Sequence, residues 1–123
     1  MRFAKLTFRI AAIWGFIVIV PMYFLYNFIG RSDPPALSHP HFYFGWLGVT
    51  LAWQVLFYIL STDPVRYRPM MLAAVLEKLG FVAAVCILFG LHMINSQEAV
   101  TAFPDAVLMG LFVAAFVKAK TTN

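Results

Sequence analysis

Glu77 is a carboxylate inside the long apolar run PMMLAAVLEKLGFVAAVCILFGLHMIN, residues 69–95. An ionisable group in such a run is a candidate for a proton or ion path. In the preceding apolar run, Thr50, Gln54, Tyr58 and Ser61 recur at helical spacing and make a polar stripe. At ~1.5 Å per residue, Gln54 and Glu77 each lie ~10 Å from the facing ends of their helices. A carboxyl and an amide can therefore meet at one depth, and Gln54, Tyr58 and Glu77 form the candidate polar site. Three chemistries fit it. One is a structural hydrogen bond with an ion pair. Another is proton or ion coupling, with Glu77 as the carrier and Gln54 and Tyr58 lining the route. The last is general acid–base work on a lipid or isoprenoid, with Glu77 paired to Gln54.

The segment STDPVRYRPMMLAAVLEK, residues 61–78, concentrates charge in an otherwise almost uncharged chain. Asp63 before Pro64 reads as an N-cap, with Arg66 three residues on as its partner. Arg66, Arg68 and Lys78 are candidate contacts for lipid headgroups or an acidic partner loop. Lys78 shares a helix side with Met71, Val75, Val82 and Val85, which reads as lipid-facing, so its expected task is to snorkel. Glu77 shares a side with Met70, Ala73, Ala74, Gly80, Ala84, Leu88 and Leu91, whose small residues predict packing against protein.

His39, His41 and His92, with Asp33, Glu98 or Asp105, have the donor types of a zinc or copper site. Their spacing follows no established metal motif, so the preferred reading is solvated histidines, and no metal or cofactor is assigned. Tyr23, Tyr26, Asn27 and Gly30, with Trp14, Trp46 and Trp53, could line a pocket for a quinone, isoprenoid or lipid chain. Such aromatic stripes more often serve packing and interfacial anchoring. The one cysteine, Cys86, excludes a relay built on an internal cysteine pair.

The elements that must position these residues follow from composition. The 123 residues are 63% hydrophobic and only 11% charged, far from a soluble domain's mix. A single transmembrane domain over 1–123 is expected, all-α, as a four-helix bundle with spans of about 10–30, 42–62, 70–95 and 103–120. Pro21 predicts a kink in the first span, which is read as retained and not as a cleaved signal. Pro69 suits the first position of the third helix. The stretch NSQEAVTAFPD is read as a connector, which puts Asp105 in the first turn of a short fourth span, with Lys118 and Lys120 snorkelling at its other end.

Four spans put Arg2, Lys5, Arg9, Arg66, Arg68, Lys118 and Lys120 on one side and only Arg31 on the other. The positive-inside rule then predicts an inner-membrane protein with both termini cytoplasmic. The net charge of +4 sits at segment ends and not on a patch, which argues against nucleic acid and for membrane lipids as partners.

Residues 51–78, LAWQVLFYILSTDPVRYRPMMLAAVLEK, resemble a stretch found in small, functionally uncharacterised four-span bacterial membrane proteins. The resemblance covers under a quarter of the chain, implies the four-span topology and brings no activity with it. The expectation is a non-enzymatic accessory or scaffold module, able to hold lipid, in a homo-oligomer or larger membrane complex. Gly45, Gly48 and Ala52, with Gly80 and Ala84, would be its helix contacts. The alternatives are a dimeric coupled transporter using Glu77 and a membrane enzyme acting on a lipid or isoprenoid.

Overall fold

Apolar runs of this length satisfy their backbone polar groups in lipid only by closing them within a helix. A computed structural model describes residues 2–119, and among these the ordered elements are all helical. They are α1 (Arg2–Met22), α2 (Tyr26–Ser32), α3 (Pro40–Thr62), α4 (Met70–Gly90), α5 (Ser96–Ala99) and α6 (Phe103–Lys118), with a 3₁₀ turn at Val100–Ala102 joining the last two. Four helical stretches are long and apolar enough to cross a membrane: Arg2–Met22, Pro40–Thr62, Met70–Gly90 and Ser96–Lys118. The expected place of Lys120 lies outside the described residues.

Three spans differ from expectation, each through local chemistry. The first begins at Arg2 and stops at Met22 instead of running from Ile10 to Gly30. Pro21 ends the helix and does not merely bend it, because it has no N–H and its ring crowds the carbonyl four residues back. The chain tightens there into three-residue bonds, Tyr23 N–H to Val20 O at 3.2 Å and Phe24 N–H to Pro21 O at 2.9 Å. In the fourth, α6 begins at Phe103 with Asp105 in its first turn, as expected, but α5 and the 3₁₀ turn carry the helical stretch seven residues further back, to Ser96. Asn95 caps it: its Oδ1 accepts the Glu98 N–H at 2.8 Å, and Glu98 Oε1 accepts the Asn95 N–H at 3.0 Å. Pro104 then removes one ladder bond, and the helix passes that gap through the 3₁₀ turn.

The third span stops at Gly90, short of the expected Asn95. His92 adopts φ 58°, with its N–H bonding Phe89 O at 3.1 Å and the Met93 N–H bonding Leu88 O at 2.9 Å. This is a Schellman ending with histidine in the left-handed position that glycine usually fills.

Around the bundle α1 lies against α3 and α6, α4 lies against α6, and α3 and α4 barely touch. The end that holds Arg2, the α3–α4 turn and Lys118 is called the basic end below; the other is the far end. Near the basic end Phe8, Phe57 and Phe112 are fully buried, with Phe8 stacked on Phe112 at 4.4 Å and Phe57 edge-on to Phe112 at 5.1 Å. Ala4, Ala11, Ala12, Ala74 and Ala115 bring the backbones close around these rings.

The expected faces of α4 are exchanged only in part: Ala74 packs into the bundle as expected, but Met71, Lys78 and Val85 do so too, whereas Met70, Gly80, Ala84 and Leu91 face outward. α4 is apolar all round, so its pattern has no period that fixes a face; the ion pairing described below fixes it instead. Of the small residues expected as helix contacts only Gly48 has a close neighbour within this chain, the Tyr23 hydroxyl, 3.8 Å from where a Cβ would stand. A Cβ on Gly45 or Gly80 would meet nothing within 4 Å, and Ala52 and Ala84 are exposed.

Candidate functional site

Glu77 and Lys78 lie ~10–12 Å along α4 from the basic end, which is about mid-helix. Asp105, nine residues after Ser96, reaches a similar depth from the other direction, ~13 Å in. Lys78 Nζ stands 3.2 Å from Asp105 Oδ1, to which it donates a hydrogen bond, and 3.5 Å from Glu77 Oε2. It also lies 5.3 Å from the centre of the Phe57 ring. Lys78 therefore does not snorkel; it is 5% exposed and held between two carboxylates above an aromatic floor. A lone ammonium at that depth would cost several kcal/mol, so the carboxylates are what make its burial tolerable.

Asp105 does stand in the first turn of α6, as expected, but its depth was missed because the helical stretch continues outward from that turn to Ser96. The signal that could have found it is the Asn95–Glu98 capping box, which moves the helix start outward and carries Asp105 inward.

Glu77, Lys78 and Asp105 open on a cavity of about 340 Å³ in the far half of the bundle. Trp14, Gly15, Val18, Ile19 and Met22 of α1, Trp46, Thr50 and Gln54 of α3, Phe81 of α4 and Thr101 of the 3₁₀ turn complete its walls. The weak α3–α4 contact leaves that side of the bundle least closed.

Gln54 is 1% exposed and lines the same cavity. Its Nε2 donates to Thr50 O at 2.9 Å, while its Oε1 has no hydrogen-bond partner. Glu77 Oε2 has only a long contact, with Lys78 Nζ at 3.5 Å, and no other donor, so the pair is held chiefly by charge attraction. Buried polar atoms are almost always satisfied, and two unsatisfied oxygens in one cavity mark a place where donors are wanted. The predicted neighbours Gln54 and Glu77 thus share a cavity without bonding each other. Gly15 makes this arrangement possible, since a Cβ there would overlap the Gln54 amide.

Tyr58 leaves the site. It is exposed, and Arg9 lies over its ring at 4.6 Å while donating to Ser61 Oγ at 2.9 Å. The polar stripe of α3 is therefore split, with Thr50 and Gln54 on the cavity and Tyr58 and Ser61 on Arg9.

Arg68 is committed within the chain. Its Nε donates to Phe116 O at 2.9 Å and its guanidinium sits 3.8 Å from the Phe116 ring centre, satisfying one of the last carbonyls of α6. Arg66 is exposed; its backbone N–H, not its guanidinium, is the group bonded to Asp63 Oδ1, at 3.3 Å.

His39, which precedes α3, and His41, in its first turn, stand with ring centres 6.0 Å apart at the far end, and His92 is occupied in ending α4. Among the described residues no three His, Cys, Asp or Glu side chains are grouped to hold a metal ion. Asp33, exposed in the far-end connector, has its carboxyl pushed above the usual range by hydrogen bonding to the Glu98 carboxyl, with desolvation and Glu98's charge acting the same way.

No family model matches the chain, and neither a curated protein nor a solved structure matches it.

Proposed function

We propose that this chain is a small, non-enzymatic membrane module that holds a small ligand in the far half of its bundle, as an accessory subunit of a membrane complex or as a homo-oligomer. The observation that carries this reading is the pairing of a 340 Å³ cavity with buried polar groups whose bonding capacity is unused. A bundle serving only as a spacer would gain stability from apolar side chains at these positions. Membrane lipids are its surroundings, and the basic end takes their anionic headgroups. Arg2, Lys5, Arg66, Arg68 and Lys118 at one end support an inner-membrane topology with both termini cytoplasmic. The cavity would then open toward the outer leaflet.

Native mass spectrometry of the protein extracted gently from its own membrane tests the reading. A small molecule should emerge bound to the native chain and be lost in Glu77→Gln. Native and variant protein both emerging without any small molecule would contradict it.

Coupled transport is the second reading, favoured by one feature. Lys78 has two carboxylates within 3.5 Å but hydrogen-bonds only Asp105, which leaves Glu77 free to exchange its partner for a proton or ion. In proteoliposomes this reading requires ligand movement that Glu77→Gln abolishes while the fold survives.

A further inference from the structure

We infer that the cavity's ligand is a small organic cation bearing an ammonium-type head and an apolar or aromatic body. This rests on the ligand-holding reading above and names its chemical class.

The charged residues lining the cavity are Glu77, Lys78 and Asp105, which when ionised leave one negative charge in excess. Lys78 spends its short contact on Asp105, so the excess resides at Glu77, whose Oε2 is buried and receives no hydrogen bond. The amide oxygen of Gln54, on a side chain nearly devoid of exposure, is a second acceptor without a donor. Both groups ask for positive charge or N–H donors, and an anionic ligand would supply neither. Three aromatic residues, Trp14, Trp46 and Phe81, line the walls, and their ring faces attract a cation most strongly where water is scarce. Val18, Ile19 and Met22 give the α1 wall an apolar stretch that suits an apolar body, and Thr50 and Thr101 are the other polar side chains on the lining. A volume of 340 Å³ is far more than a bare inorganic ion fills and lies at the small end of organic-ligand pockets.

The test uses the full chain in phosphatidylcholine nanodiscs, with Trp53→Phe so that Trp14 and Trp46 report on the cavity. The probes are benzyltrimethylammonium, benzyl alcohol as its neutral counterpart and benzenesulfonate as an anion. The expected result is saturable quenching by benzyltrimethylammonium, at least about tenfold tighter than for either other probe. Glu77→Gln should weaken it about tenfold, Glu77→Asp should retain it, and Val18→Phe, which adds bulk on the cavity wall and no new tryptophan, should block it. Equal binding of all three probes, blocked by Val18→Phe but unmoved by Glu77→Gln, would overturn the cation assignment and leave the ligand-holding reading intact. No saturable binding of any probe would overturn both.

Discussion

Phe8, Phe57 and Phe112 fill the half of the bundle nearest the termini, whereas the same helices about two turns further on leave a 340 Å³ cavity lined by charge. The basic half joins α1, α3, α4 and α6 through alanines and stacked rings, and its long cations turn outward: Arg9 to Tyr58, Arg68 to Phe116, Lys118 to Phe3. The far half brings Glu77, Lys78 and Asp105 inward and stops short of satisfying them. Packing alone would favour the first solution everywhere, because in lipid a void forfeits dispersion contacts and a buried ion forfeits solvation. A chain that builds both in one bundle therefore separates a plug from a site.

The sharpest way to break this contrast is Lys78→Met. It leaves two carboxylates facing each other at mid-helix, and the expected loss is about 3–5 kcal/mol of stability, read as a lower unfolding midpoint in detergent. Adding Glu77→Gln and Asp105→Asn to that variant should restore most of the loss, since it removes the uncompensated charges. Phe112→Ala attacks the plug instead. Its cost should be about 2–3 kcal/mol, because the cavity term survives in lipid while the transfer term largely does not. Trp46→Ala, on the cavity wall, should cost under about 1 kcal/mol by the same assay, since little is packed against a wall that faces a void.

An effect of comparable size concerns the helix ending at His92. His92→Gly relieves a left-handed residue and should stabilise by up to about 1 kcal/mol, whereas His92→Val should destabilise by about as much or more. The smallest effect is the far-end connector. With the folded pKa of Asp33 raised, the folded state binds a proton that the unfolded chain releases. Its contribution is complete below the ordinary aspartate value of ~3.9 and is lost as pH rises through the raised value. Trp46, which lines the cleft shared by Asp33 and Glu98, should report this as a fluorescence change on acidification that Asp33→Asn abolishes.

The four long apolar helices were legible in the sequence because length and lack of charge suffice to mark them. The ends of the spans were less so. Pro21 and the Asn95–Glu98 box were both visible, but the apolar run past the first and the polar connector around the second pointed the other way. Gln54 and Glu77 were legible as polar groups at one depth, and the structure brings both to one cavity. The burial of Lys78 was not, because a helix apolar on every side carries no periodic signal for its orientation, and the group that orients it, Asp105, comes from a different helix. Tyr58 shows the converse: its spacing matched Gln54, yet one further turn along α3 brings it opposite Arg9 and not Glu77.

The claim that one half is an accessible site and the other a dry plug can be measured directly by cysteine accessibility. In a Cys86→Ala background, Ile19→Cys places a thiol on the cavity wall and Leu60→Cys places one beside the plug, both at positions buried from lipid. A membrane-impermeant cationic methanethiosulfonate reagent should label Ile19→Cys and spare Leu60→Cys. Equal labelling of the two, or labelling of Leu60→Cys alone, would contradict the account.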